Sequence, residues 1–151
     1  MNSSSQYTAH CFCGDVEFTL EGNPEVMAYC HCDSCRQWSA SPVSGFTLWK
    51  PESIQITKGK EHLAGYTGNP LSGDKALVSN RVWCKKCGGH LYTDHPQMKL
   101  VDVPSAVIGD FIFRPGFHVH YQESVHPMND GLPKFKDLPE EAGGTGELLT
   151  E

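Results

Sequence analysis

From residue 15 the chain reads DVEFTLEG, with Val16, Phe18 and Leu20 alternating with polar neighbours. That period of two belongs to a half-buried strand. Asn23-Pro24 then makes a turn, and EVMAY runs extended into Cys30. The polar stretch DSCRQWSAS suits one helical turn or a loop, ended by Pro42. VSGFTLW and SIQIT read as strands separated by Lys50-Pro51, and EHLAGY is a further strand candidate. TGNPLSGD is a loop by composition. ALVSNRVW and GHLYTD flank CKKCG and predict a hairpin with the cysteine pair at its tip. KLVDV and HVHYQES are later strand candidates, with FRPG as a turn. After Asp130 the chain becomes rich in Pro, Gly and Glu, which predicts a docked tail that frays toward its end. No helical period is sustained over several turns. The expectation is a mostly β protein in one domain, with an extension over 1–10, the β domain over 11–135 and an acidic tail over 136–151.

Composition narrows the function classes. The formal net charge is -6 with twelve Lys plus Arg, and no basic run occurs. That argues against nucleic acid and against an anionic membrane surface as partners. Fifteen glycines and ten prolines favour many turns and short strands. No apolar stretch reaches the ~18–20 residues of a membrane-spanning helix. The opening MNSSSQYTAH lacks the apolar region of a secretory signal, so a soluble, cytoplasmic protein is expected.

Seven cysteines carry the chemistry. An odd count in C-x-C and C-x-x-C clusters argues against a disulfide framework and for metal or redox work. Cys84 and Cys87 form C-x-x-C-G, a knuckle in which two thiolates share one ion and Gly88 permits the sharp turn. Such a knuckle is half a tetrahedral shell. Cys11 and Cys13 are its natural partner, because residues i and i+2 of an extended segment point to one side. Four thiolates suit zinc, and a clip of this span removes much freedom from the unfolded chain. The alternative is four reduced core thiols without an ion.

Three cysteines remain, and all lie in YCHCDSCRQWS: Cys30, Cys32 and Cys35. A zinc held by these three keeps a fourth position for water or an incoming thiolate, as catalytic zinc sites do. Zinc deprotonates a coordinating thiol, so a thiol substrate fits this position. The alternative is a closed structural site completed by His90, His118, His120 or His126. His31 points away from its cysteine neighbours if the segment is extended.

With all seven cysteines placed, the order CFCGDVEF, CHCDSCRQWS, CKKCGGHLY and the later DGLPKF resembles the glutathione-dependent formaldehyde-activating enzyme (Gfa) family, from about Cys11 to Phe135. The resemblance implies a β-tent fold of short antiparallel sheets organised around a structural zinc. It implies two zinc ions per chain: a structural one on Cys11, Cys13, Cys84 and Cys87, and a catalytic one on Cys30, Cys32 and Cys35. The implied activity is that of a carbon–sulfur lyase, joining glutathione or a similar thiol with formaldehyde or a small aldehyde to give an S-hydroxymethyl adduct. On the same reading His31 and His118 are the acid–base candidates, and Arg36 is placed to hold a carboxylate of glutathione. One departure is Ala40, at a position where the family commonly has glycine; if that glycine admits a substrate, Ala40 narrows the space. A different class of function, a zinc-stabilised binding module without catalysis, uses the same cysteines. A nucleic-acid-binding zinc ribbon is disfavoured by the acidic balance.

Overall fold

The structure is a computed structural model, and it describes residues 5–71 and 78–150. The fold is mostly β, with ten strands and one α-helix among the described residues. The chain forms two compact units, each assembled from separated stretches: residues 1–25 with 47–112, and residues 26–46 with 113–151.

In the first unit, β1 (Gln6–His10), β2 (Glu17–Glu21) and β5 (Ile54–Lys58) form an antiparallel sheet in the order β1-β2-β5. The alternation seen in the sequence decides which face is buried: Val16, Phe18 and Leu20 are fully buried. Residues 6–10, expected as part of an extension, pair with β2 over their full length because Ala9 is buried against the core. The same unit contains an antiparallel run of β6 (Leu63–Thr67), β7 (Asn80–Cys84), β8 (His90–His95) and β9 (Leu100–Pro104). The turn between β7 and β8 is the CKKCG knuckle. The TGNPLSGD loop and the ALVS segment fall partly on residues 72–77, outside the described residues.

β4 (Ser44–Trp49) carries the chain from the second unit back to the first. Its end is fixed by polar contacts in a dry setting: Thr47 donates its hydroxyl to the Val103 carbonyl at 2.6 Å, and the Trp49 indole donates to Thr47 at 2.7 Å. Both side chains are fully buried, so each bond removes an otherwise unpaired polar group.

In the second unit, β3 (Val26–Cys30) pairs in parallel with the two-residue β10 (His118–Val119). FRPG makes no turn. Instead the Gly116 N–H reaches the Met27 carbonyl at 3.0 Å, and the Tyr29 N–H reaches Phe117 at 3.0 Å, so this stretch runs beside β3. HVHYQES is a strand only at its start, because His120 takes a left-handed conformation (φ 53) and Tyr121–Glu123 closes into a 3-10 turn. DSCRQWS forms α1 (Asp33–Ser39), longer than the single turn expected. Capping explains it: the Cys32 sulfur accepts from the Cys35 N–H, and the Glu123 carboxylate accepts from the Asp33 N–H at 2.8 Å. Ala40 ends the helix at φ 54, ψ 42, with its N–H bonded to the Arg36 carbonyl. A left-handed closing residue is where glycine is favoured, so the backbone alone accounts for a glycine at this position. The tail is bound well past Phe135: Phe135 bridges Leu148, Lys136 donates to Glu147 at 2.8 Å, and Leu149 donates to Lys134 at 2.8 Å.

Candidate metal centres

The first unit gathers the sulfurs of Cys11, Cys13, Cys84 and Cys87 within 4.8 Å of one another. Two turns present them. Cys11 to Gly14 is not the extended segment expected: the Gly14 N–H bonds the Cys11 carbonyl at 3.1 Å, with Gly14 at φ 83. In the knuckle, the Gly88 N–H bonds the Cys84 carbonyl at 2.7 Å with Gly88 at φ 78. Turns suit the site because they aim backbone N–H groups at sulfur. Val16 donates to Cys11 at 3.3 Å, while Cys13 and Gly89 donate to Cys87 at 3.4 and 3.3 Å. Burial opposes ionisation of Cys87, but these N–H groups and the neighbouring thiols outweigh it and bring its pKa down to about 6. A Cβ on Gly89 would lie 2.7 Å from the Phe12 nitrogen and 3.2 Å from the Cys87 sulfur, so the close approach of the turns requires glycine there. Phe12, between two of the thiols, is left 90% exposed.

The donor set fits zinc. A tetrahedral ion with Zn–S of about 2.3 Å places its sulfurs about 3.8 Å apart. Cys13 lies 3.7 Å from Cys11 and 3.9 Å from Cys84.

The second unit gathers the sulfurs of Cys30, Cys32 and Cys35 within the same 4.8 Å limit. Among the described residues, no imidazole nitrogen or carboxylate oxygen joins them at that distance, His90, His118, His120 and His126 included. Cys30 ends β3, and Cys32 and Cys35 lie at the cap and first turn of α1. Hydrogen bonding from Cys30 and Cys35, with the Cys35 N–H, drives the Cys32 thiol far down, whereas the Cys30 thiol is pushed well up by Cys32, Cys35 and burial. A group that favours a thiolate in this way is disposed to accept a cation.

His31 and His118 are both fully buried and joined by a 2.8 Å bond from His31 Nε2 to His118 Nδ1. Burial pushes the pKa of His31 down to about 4. Arg36 donates its Nε to the His31 carbonyl at 2.9 Å, and its guanidinium lies 3.8 Å from Asp33. Sequence reading missed two residues here. Asp130 accepts from His118 Nε2 at 2.8 Å, and the buried Lys134 bonds Asp130 at 3.0 Å. Burial opposes the Asp130 charge, but Lys134 and His118 hold its carboxyl well below the usual carboxylate range. Both lie within DGLPKF, a stretch that forms part of the resemblance but has no hydrophobic period to mark a role for either residue.

Comparison with known proteins follows the same lines. Residues 6–123 match the family described as glutathione-dependent formaldehyde-activating enzyme. An uncharacterized lyase of Schizosaccharomyces pombe is 25% identical over 87 residues, which is 58% of this chain and 56% of that protein. The match thus spans little more than half of that relative's length. The crystal structure of a Rhodobacter sphaeroides protein is similar with a TM-score of 0.51 and 18% identity, covering 70% of this chain and 90% of that one. At that identity the likeness concerns fold alone. The family match covers most of the chain, and the chain belongs to the glutathione-dependent formaldehyde-activating enzyme family.

Proposed function

We propose that this protein is a zinc-dependent carbon–sulfur lyase of β-tent architecture. It joins glutathione, or a similar thiol, with formaldehyde or a small aldehyde to give an S-hydroxymethyl adduct. The observation that carries this reading is the trio Cys30, Cys32 and Cys35, three thiols that no fourth protein ligand joins among the described residues. Three ligands and one free position distinguish catalytic from structural zinc. Cys11, Cys13, Cys84 and Cys87 hold the second zinc, with a structural role.

When bound at the trio, zinc supplies a positive charge that lowers the pKa of a thiol beside it. The addition is balanced without an oxidant: a bond forms between the thiol sulfur and the aldehyde carbon, and the π pair of C=O moves onto oxygen. The proton lost from sulfur ends on that oxygen. His31 and His118 carry this proton, for they form a buried, hydrogen-bonded pair directly beside the ligand segment. Arg36, its Nε fixed by the His31 carbonyl and its Nη2 near Asp33, offers its remaining N–H groups to a carboxylate of glutathione. A reducing, cytoplasmic setting belongs to the same reading, because there seven free cysteines stay reduced.

The test is a native mass spectrum of the full chain titrated with glutathione, followed by NMR exchange spectroscopy with formaldehyde. Two zincs per chain, a saturable glutathione adduct and accelerated formation of the S-hydroxymethyl product support the reading. One zinc and no adduct overturn it and leave a zinc-stabilised binding module.

A further inference from the structure

Among the described residues, one buried side-chain nitrogen or oxygen has no hydrogen-bond partner, Nδ1 of His31. The series that begins at the opposite ring nitrogen determines its protonation. His31 Nε2 meets His118 Nδ1 at 2.8 Å, and His118 Nε2 meets Asp130 Oδ2 at 2.8 Å. An ionised carboxylate only accepts, so His118 places its hydrogen on Nε2 and leaves Nδ1 bare. His31 must then donate from Nε2, and its own Nδ1 is bare as well.

Asp130 stays an acceptor because its other oxygen takes the Lys134 ammonium at 3.0 Å and the Leu132 N–H at 3.1 Å. Lys134 also balances the charge of Asp130, so an imidazolium in the pair would lack a counter-charge within this series. Aromatic rings hold the imidazoles in place. Tyr29 stacks on His118 with centroids 4.9 Å apart, and Tyr121 stands edge-on to His31 at 4.8 Å.

We propose that Asp130 and Lys134 are positioning residues that lock the His31–His118 pair in one tautomer, with the hydrogen of each ring on Nε2 and His31 Nδ1 bare. The lock rests on the hydrogen-bond series alone, and its bearing on proton transfer rests on the function proposed above.

The experiment is 15N-edited NMR of the histidine rings in the full, zinc-loaded chain. In the wild type, both His31 and His118 carry hydrogen on Nε2. In Asp130→Asn, Lys134 and Leu132 retain the side-chain oxygen, which turns the NH2 group toward His118 Nε2. That reversal passes along the series, and His31 then carries its hydrogen on Nδ1. A wild-type His31 protonated at Nδ1, or a folded Asp130→Asn variant with both tautomers unchanged, overturns the lock. If the variant does not fold, the wild-type assignment alone decides it.

Discussion

Replacing one cysteine in each centre by serine separates a clip from a reactive site. Cys13 and Cys84 lie 71 residues apart in sequence, and their sulfurs meet at 3.9 Å. Treating a metal clip like a cross-link, closing a loop of that length removes about 4 kcal/mol of unfolded-state freedom. Cys30 to Cys35 closes a loop of only six residues, worth about 2 kcal/mol by the same relation. Burial adds to the difference, for Cys84 is fully buried, and a hydroxyl there brings a desolvation cost of about 1–3 kcal/mol. Cys32 is only partly buried and caps α1, and serine is among the best capping residues. Cys32→Ser therefore removes a ligand while keeping the helix start. At about 2–4 °C per kcal/mol for a chain of this size, Cys84→Ser should lower Tm by about 10 °C or more. Cys32→Ser should lower it by less than about 8 °C and lose one zinc. Differential scanning calorimetry of the zinc-loaded variants, with metal content by mass spectrometry, makes the comparison. Equal losses of Tm from the two variants would refute the division into structural and reactive centres.

Three further predictions follow from local geometry. Ala40→Gly relieves a left-handed conformation and is expected to be neutral to about 1 kcal/mol stabilising by urea denaturation; clear destabilisation would show that the Ala40 methyl packs usefully. Gly89→Ala pushes a methyl against the Phe12 backbone, so it should cost about 1–3 kcal/mol and speed zinc loss to a chelator, with no change in either quantity counting against the geometry. The folded-state pKa of Asp130 is depressed, so its contribution is present above the ordinary carboxylate pKa and is lost as pH falls below that value. The stability gap between wild type and Asp130→Asn should accordingly shrink on acidification below about pH 4, and a gap that is constant with pH would contradict it.

How much of this was legible in the sequence depends on the range of the interactions. The faces of β2 could be read from Val16, Phe18 and Leu20 because alternation is a local consequence of the pleat. The β7–β8 hairpin was equally legible, since its tip carries its own turn residues. The cysteine groups were visible by spacing, and the structure brings each set together. Helix α1 was underestimated because seven residues are too few to show a period, and one of its caps, Glu123, comes from 90 residues away. The Asp130–Lys134 pair was invisible for a different reason. A lysine in a polar, Pro- and Gly-rich stretch is expected at the surface. Only the meeting of His118 with His31, 87 residues apart, creates the buried polar setting that Lys134 and Asp130 complete.

Phe12 sits between two members of the four-cysteine cluster yet is 90% exposed, because a turn that brings the sulfurs of Cys11 and Cys13 together points the intervening side chain outward. Position 12 is thereby close to the clip without taking part in it. A tryptophan installed there would give a fluorescent reporter within a residue of two of the cysteines proposed to hold zinc. Quenching or recovery of its emission would follow metal exchange in real time, at a place where the change of side chain leaves the ligand set intact.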